Sequence, residues 1–538
     1  MNSGRQLRLA MAMVFAFFGY DLRAEDVSSV LFDQYEISIP MSERPAVLTG
    51  DFLGDNNKEI AVAYRDKRNQ TQLLMFEFND NSWRRVVDTE LDAGSLFVDV
   101  VSINSQDRLL LVTHDYLAWI DPVELKVNKL VEVSADYNTS DQTEINTILP
   151  AKISVVDVTR DLNGDRHDDL IVPDTDGFFV SIQSDSGEFS APAKLGPAEP
   201  FLGEAPIGSQ SGVTYGEMGI NASTLPWYLS RVHSLDFNQD GRPDLLFWNR
   251  DHFDVYEQAS NGMFQETPDT FEPSISFDAD GVYSLNFGFS DESTFNLFFG
   301  LRKKTTRTVL HSFQDLNGDG YSDLVIQTLT GRSLLKQRNT FAIHLGAAGP
   351  DSIHFSSAAD TRIRPGGNTA GVQDAGYSSH RFQDFDGDGQ VDAGFMDVNI
   401  GLTGMMRAMV GNSISMNLQS YRLQKDEYPH LPSYQRKIRP ELGIKSGNLF
   451  FPLVLVGDVN GDGRTDLLLR ESRGALSVFK GVPGPTLFSN EPQIIPMNFP
   501  QDERHIWLVD LNRDNRQDIL ALHMSNEIEP RLVSLITR

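Results

Sequence analysis

Apolar residues along this chain come in short runs of about four to seven, rich in Val, Leu, Ile and Phe, and the runs are separated by clusters of Gly, Asn, Asp and Pro. That is the strand-and-turn pattern; a helix would show apolar positions every three to four residues over a longer window. The stretch around Asp458 is typical: Pro452–Val456 leads in, Asp466–Arg470 leads out, Ala475–Phe479 follows Arg473-Gly474, and a fourth short run ends near Ile494–Met497. Beyond the apolar run at the start, no stretch shows a helical period. The chain reads as all-β.

The unit repeats. An apolar run, an Asp/Asn/Gly loop and a second apolar run recur with loops starting at 51, 161, 236, 315, 384, 458 and 510. The gap between the first two starts is about twice the shortest of the others, which predicts a hidden unit. Phe97–Ile103, a turn at Asn104–Asp107, Arg108–Thr113 and Tyr116–Ile120 supply it, with strands kept and the acidic loop lost. Four strands per unit and eight units predict a β-propeller, with seven blades as the alternative if the degenerate unit does not count. The last unit is one strand short, while Gln34–Ile39 stands alone before the first, so Gln34–Ile39 is expected to complete the last blade and close the ring. Longer stretches at about 199–231, 346–379 and 401–447 read as inserts in one propeller domain spanning 25–538.

The loops carry the candidate chemistry. Four copies are intact: Asp236, Asn238, Asp240, Arg242 and Asp244; Asp315, Asn317, Asp319, Tyr321 and Asp323; Asp384, Asp386, Asp388, Gln390 and Asp392; Asp458, Asn460, Asp462, Arg464 and Asp466. Two lack the glycine at position 6: Asp161, Asn163, Asp165, His167 and Asp169, and Asp510, Asn512, Asp514, Arg516 and Asp518. Side-chain oxygens stand at positions 1, 3, 5 and 9, and position 7 is expected to contribute its main-chain carbonyl. A curl of hard oxygens suits Ca²⁺, which takes six to eight of them at about 2.3–2.6 Å, better than Zn²⁺ or Mg²⁺. Crowded carboxylates also repel one another unless a cation neutralises them. Four to six calcium sites are expected. The loop at 51 is degraded, since Leu53 offers no oxygen at position 3. At position 6, Asn515 tolerates a left-handed backbone, whereas Arg166 is strained there.

These loops resemble the FG-GAP/VCBS repeat, found in integrin α-subunit propellers and many bacterial exported proteins. Leu345-Gly346-Ala-Ala-Gly349-Pro350 and Gly481-Val-Pro-Gly-Pro485 are similar to its Gly-x-Pro segment. The resemblance spans essentially all of residues 30–538. It implies a calcium-binding propeller, more often of seven blades than eight, and does not specify an activity.

Composition narrows the setting. The 46 Lys+Arg against 75 Asp+Glu leave a net charge of −29, which argues against a nucleic-acid partner. There is no cysteine, hence no disulfide and no thiolate metal site. Arg5 and Arg8 precede the apolar run Leu9–Phe18, and Ala24 offers a cleavage point: a secretory signal peptide over 1–24, too short to span a bilayer. The mature protein is expected in the periplasm or outside the cell, monomeric and not inserted in a membrane.

No catalytic motif appears: no Gly-x-Ser-x-Gly elbow, His-Glu-x-x-His helix, Walker loop or Rossmann fingerprint. His233, His311 and His380 precede three successive loops and are read as strand residues holding them, rather than as a metal or proton-relay set. Trp227, Tyr228, Tyr428 and Tyr434, in the expected inserts, are read mainly as packing residues, with a sugar-stacking platform as the other reading. The chain is therefore expected to be a non-catalytic binding or adhesion module for a protein or glycan; the alternative is a propeller-type polysaccharide lyase or hydrolase.

Overall fold

The computed structural model describes residues 32–40, 45–68, 70–91, 94–134, 153–174, 177–197, 229, 232–249, 252–277, 305–331, 337–350, 352–366, 380–398, 413, 415–439, 453–472, 474–484, 486–500, 505–524 and 530–538. Residues 1–24, where a signal peptide is expected, and Trp227 and Tyr228 lie outside them. No helix among the described residues is long and apolar enough to cross a membrane.

The strands form eight antiparallel blades arranged as a β-propeller. Blade 1 is Ala46–Gly50, Glu59–Arg65, Thr71–Asn79 and Ser82–Glu90, each paired with the next. Blade 2, within 97–132, is the unit with the lost acidic loop, so the ring has eight blades and not the seven that the family resemblance favours. It carries an unexpected addition: Ser154–Val155, in the link to blade 3, pairs parallel with Phe97–Ile103 as a fifth strand.

Closure is as the orphan strand suggested. Phe32–Ser38 runs antiparallel to Arg531–Thr537, from Phe32↔Thr537 to Ser38↔Arg531, and completes blade 8 beside Ile506–Val509 and Asp518–His523. Two of the expected inserts hold blade strands. Thr361–Ile363 is the fourth strand of blade 5, next to a hairpin of Gly346–Ala348 and Ile353–Phe355. Met416–Tyr421 and Tyr434–Ile438 are the third and fourth strands of blade 6. Tyr428 and Tyr434 are only 4% and 6% exposed, packed as core residues rather than offered to a sugar.

Each blade is buried on both faces, which explains why second strands such as Asp169–Asp174 read as continuous apolar runs instead of alternating ones. Alternation decides which neighbour each residue meets. Leu467 and Leu469 pack towards blade 6 with Phe385 and Leu418, while Leu468 packs towards blade 8 with Ile519 and Ala521. Likewise Leu245 and Phe247 meet blade 3, and Leu246 and Trp248 meet blade 5. Such clusters follow one another around the ring, and the last joins Leu520 and Leu522 of blade 8 to Val47 and Ile60 of blade 1. Each fully buried Leu contributes about 1.5–3 kcal/mol.

Candidate metal centres

The acidic loops join the first and second strands of their blades, and the same internal bonds shape all of them. In the 458 loop, Asp458 at position 1 accepts the Gly461 amide at 2.6 Å through one oxygen and the Gly463 amide at 2.8 Å through the other. Asn460 Oδ1 accepts the Asp462 amide at 2.9 Å, and Asp462 Oδ1 accepts the Arg464 amide at 2.9 Å. Asp315, Asn317 and Asp319 repeat the set. So do Asp161, Asn163 and Asp165, with Asp510, Asn512 and Asp514 closely similar. Asp236, Asn238 and Asp240 keep the position 6, 3 and 5 bonds, and Asp384 and Asp388 the position 1 and 5 bonds. A chain of side-chain-to-amide turns thus winds the loop.

That winding needs a left-handed backbone at position 6, as the sequence indicated: Gly463 has φ 80°, and Arg166 and Asn515 take 71° and 64°. Position 4 needs it too. Glycine fills four of the six places, as Gly461 does at φ 76°, but Gln239 and Arg513 adopt 63° and 58°.

Position 9 serves a second purpose. Asp169, Asp244, Asp323, Asp392, Asp466 and Asp518 are fully buried. One oxygen of each accepts the position 2 amide, as Asp466 does from Val459 at 3.1 Å. The other accepts an amide just beyond the third strand, as from Gly481 at 2.8 Å, or near its end in blade 8, from Thr537 at 2.7 Å. Burial pushes Asp169, Asp323, Asp392 and Asp466 up to about 7, against the pull of these amides.

Blade 6 shows the convergence most clearly. Ligand-type oxygens of Asp384, Asp386 and Asp388 lie within 4.8 Å of one another, and Asp392 is not in that group. Asp386 replaces the asparagine usual at position 3, and Arg422 answers the extra charge. Its Nε lies 2.6 Å from Asp386 Oδ2, Nη2 donates to Asp388 Oδ2 at 3.0 Å, and Nη1 donates to the Gly484 carbonyl of blade 7 at 3.1 Å. Position 7 enters through its main chain, with His167, Arg242, Tyr321, Gln390, Arg464 and Arg516 each donating an amide to position 5. The Arg242 side chain also pairs with Asp240.

Consecutive loops touch around one end of the ring. The Val391 amide donates to the Leu316 carbonyl, Thr465 to Phe385 and Gln517 to Asp458, each from position 8 of the next loop. Position 8 of the 236 loop is Pro243, which has no amide hydrogen, and there Gln258 Nε2 donates instead to the Asn163 carbonyl at 2.7 Å.

The two described histidines of the sequence set are interblade packing groups. His233 lies against Phe253 and Phe313, with ring centroids 6.1 and 5.7 Å away, and His311 against Phe341 and Phe382 at 5.4 and 5.1 Å. Burial pushes both down to about 4, so both are neutral near pH 7. The side chain of His380 lies outside the described residues. Sequence reasoning missed Arg422, Arg513 and the left-handed position 4; the glycines at 164, 318, 387 and 461 were the signal for the last.

The profile of the FG-GAP-like repeat family matches residues 458–521, which carry the loops of blades 7 and 8. The sequence matches no curated protein. Among solved structures, the chain is similar to the V. cholerae biofilm matrix protein Bap1, at 11% identity over 94% of this chain and 91% of that one, TM-score 0.29. It is also similar to a putative 6-phosphogluconolactonase from Bacteroides fragilis, at 12% identity over 82% and 96%, TM-score 0.30. A third is the periplasmic gluconolactonase of Pseudomonas aeruginosa, at 11% identity over 87% and 98%, TM-score 0.24.

Proposed function

We propose that this chain is an exported, calcium-stabilised β-propeller that serves as a non-catalytic binding or adhesion module for protein or glycan ligands. The observations that carry the calcium reading are the side-chain-to-amide turns repeated in the loops of blades 3 to 8 and, in blade 6, the oxygens of Asp384, Asp386 and Asp388 within 4.8 Å of one another. The donor set is oxygen only, as a hard cation requires, and amides of the loop itself hold the donors in place, which lowers the ordering cost of binding. Asp161, Asn163, Asp165, Asp236, Asn238, Asp240, Asp315, Asn317, Asp319, Asp384, Asp386, Asp388, Asp458, Asn460, Asp462, Asp510, Asn512 and Asp514 would supply first donors. The position 9 carboxylates keep spare lone pairs beside their amide bonds.

Export rests on the basic and apolar start of the chain, and the binding role on a rigid ring of contiguous loops at one end. His233 and His311 are spent on packing between phenylalanines. Calorimetric titration with Ca²⁺ tests the metal: four to six sites are expected, and an Asp319→Ala, Asp388→Ala double variant should lose about two. Incubation with a panel of acidic and neutral polysaccharides tests the role. Retention without new reducing ends or unsaturated products is expected; cleavage that persists in purified protein would replace this reading with that of a lyase or hydrolase.

A further inference from the structure

Blade 1 keeps the curl of the other loops but lacks the side-chain oxygen at position 3. Asp51 still accepts the amide of position 6, Asn56, at 3.2 Å, Asp55 at position 5 accepts the Asn57 amide at 2.8 Å, and Glu59 at position 9 accepts the Leu53 amide at 3.0 Å. Position 3 is Leu53, which has no side-chain oxygen. What meets Asp51 is an arginine from the far end of the chain. Arg513 Nη2 donates to Asp51 Oδ2 at 3.0 Å, and Nη1 donates to Asn56 Oδ1 at 3.2 Å.

The placement follows from the motif. Arg513 stands at position 4 of the blade 8 loop, a place that at two other junctions faces position 6 of the next loop. A Cβ at Gly318 would sit 3.2 Å from the Gly389 carbonyl oxygen, and one at Gly387 only 2.6 Å from that of Gly463. At those junctions a side chain has no room. At the seam between blades 8 and 1 the same direction carries a guanidinium onto Asn56, at position 6, and onto Asp51, at position 1. Arg513 holds this place at φ 58°, a conformation that disfavours every residue with a Cβ. The Asp51 side chain is 6% exposed, so its charge needs a partner within reach, and a guanidinium is planar, permanently charged and rich in donors.

We propose that Arg513 is the built-in cation of the blade 1 loop, standing at the ring's seam where the other acidic loops take a divalent ion, so that closure of the ring does not depend on metal. The contrast with the other loops rests on the calcium reading above; the arginine's own part does not.

The test uses the full chain with Asp51→Asn, Arg513→Gly and both together. Arg513→Gly restores the glycine common at position 4, so backbone strain is relieved rather than added. Calcium stoichiometry is expected to stay unchanged in all three. The thermal melts should show the two substitutions coupled, the double variant losing clearly less than the sum of the singles, equally with Ca²⁺ and with excess chelator. Exchange of the Asn56 amide, read by hydrogen-exchange mass spectrometry, should quicken about tenfold or more in Arg513→Gly while blade 5 amides are unmoved. Loss of one bound Ca²⁺ in Asp51→Asn, additive melts, or an Asn56 amide indifferent to Arg513 would each overturn the proposal. If wild type binds no Ca²⁺ at all, the calcium reading fails, and the coupling measured in chelator still decides for or against the arginine.

Discussion

Asp99 shows how much a single carboxyl can settle inside a strand. It lies in Phe97–Ile103 and accepts the Val158 amide at 2.7 Å and the Thr159 hydroxyl at 3.2 Å, tying blade 2 to the entry of blade 3. Burial pushes its pKa from 3.8 up to about 7, with the amides of Val100 and Val158 pulling the other way. The native state therefore holds a proton between about pH 4 and pH 7 that the unfolded chain releases, and the Asp99 contribution to stability falls as pH rises through that window. Asp99→Asn should flatten this part of the stability–pH curve measured by urea unfolding in chelator; an unchanged slope would mean the carboxyl is ionised in the fold. Nothing in FVDVVSI marks this residue out, because the significance of Asp99 depends on an amide and a hydroxyl about 60 residues later.

At the scale of the loop, positions 5 and 9 should separate. Asp462 has a side chain 39% exposed and bonds only within its own turn, whereas Asp466 is fully buried and joins two segments. Asp466→Ala should leave two buried amides unpaired and cost about 3 kcal/mol or more whether or not Ca²⁺ is present. Asp462→Ala should cost little in chelator and appreciably more in Ca²⁺. Equal behaviour of the two variants in paired unfolding curves would contradict this division.

The same contrast explains what could be read from the chain alone. Positions 1, 3 and 5 were legible because each makes its bonds within five residues, so their pattern is local. Arg422 and Arg513 were not, since they meet Asp388 and Asp51 across 34 and 462 residues. Met416–Tyr421 and Tyr434–Ile438 were misread as insert because Tyr428-Pro-His-Leu-Pro lies between them and masks the period of the flanking strands. Blade 2 was found without its loop, from the apolar runs alone, because burial on both faces keeps strands hydrophobic even when the turn chemistry is gone.

For the whole molecule, stability is distributed around a circle. Adjacent blades share apolar clusters, and the seam adds Trp83 Nε1 donating to Ser534 Oγ at 2.8 Å and the strand pairing of blade 8. An ion that binds only the folded ring adds about 2.7 kcal/mol per site at a hundredfold excess over Kd. Chelation should therefore lower the melting temperature of the wild type by several degrees. Deleting residues 32–38 should lower it further and expose the edge of Arg531–Thr537, giving self-association visible by size-exclusion chromatography.

Pairing Phe32–Ser38 with Arg531–Thr537 also sets a timetable. The first of these strands is made early in translation and its mate is the last of the blade strands to be made. Until then Phe32–Ser38 has an unmatched β-edge, a surface on which misassembly can start. The final snap is a long-range encounter, so folding of the complete circle should finish slowly even where individual blades have formed fast.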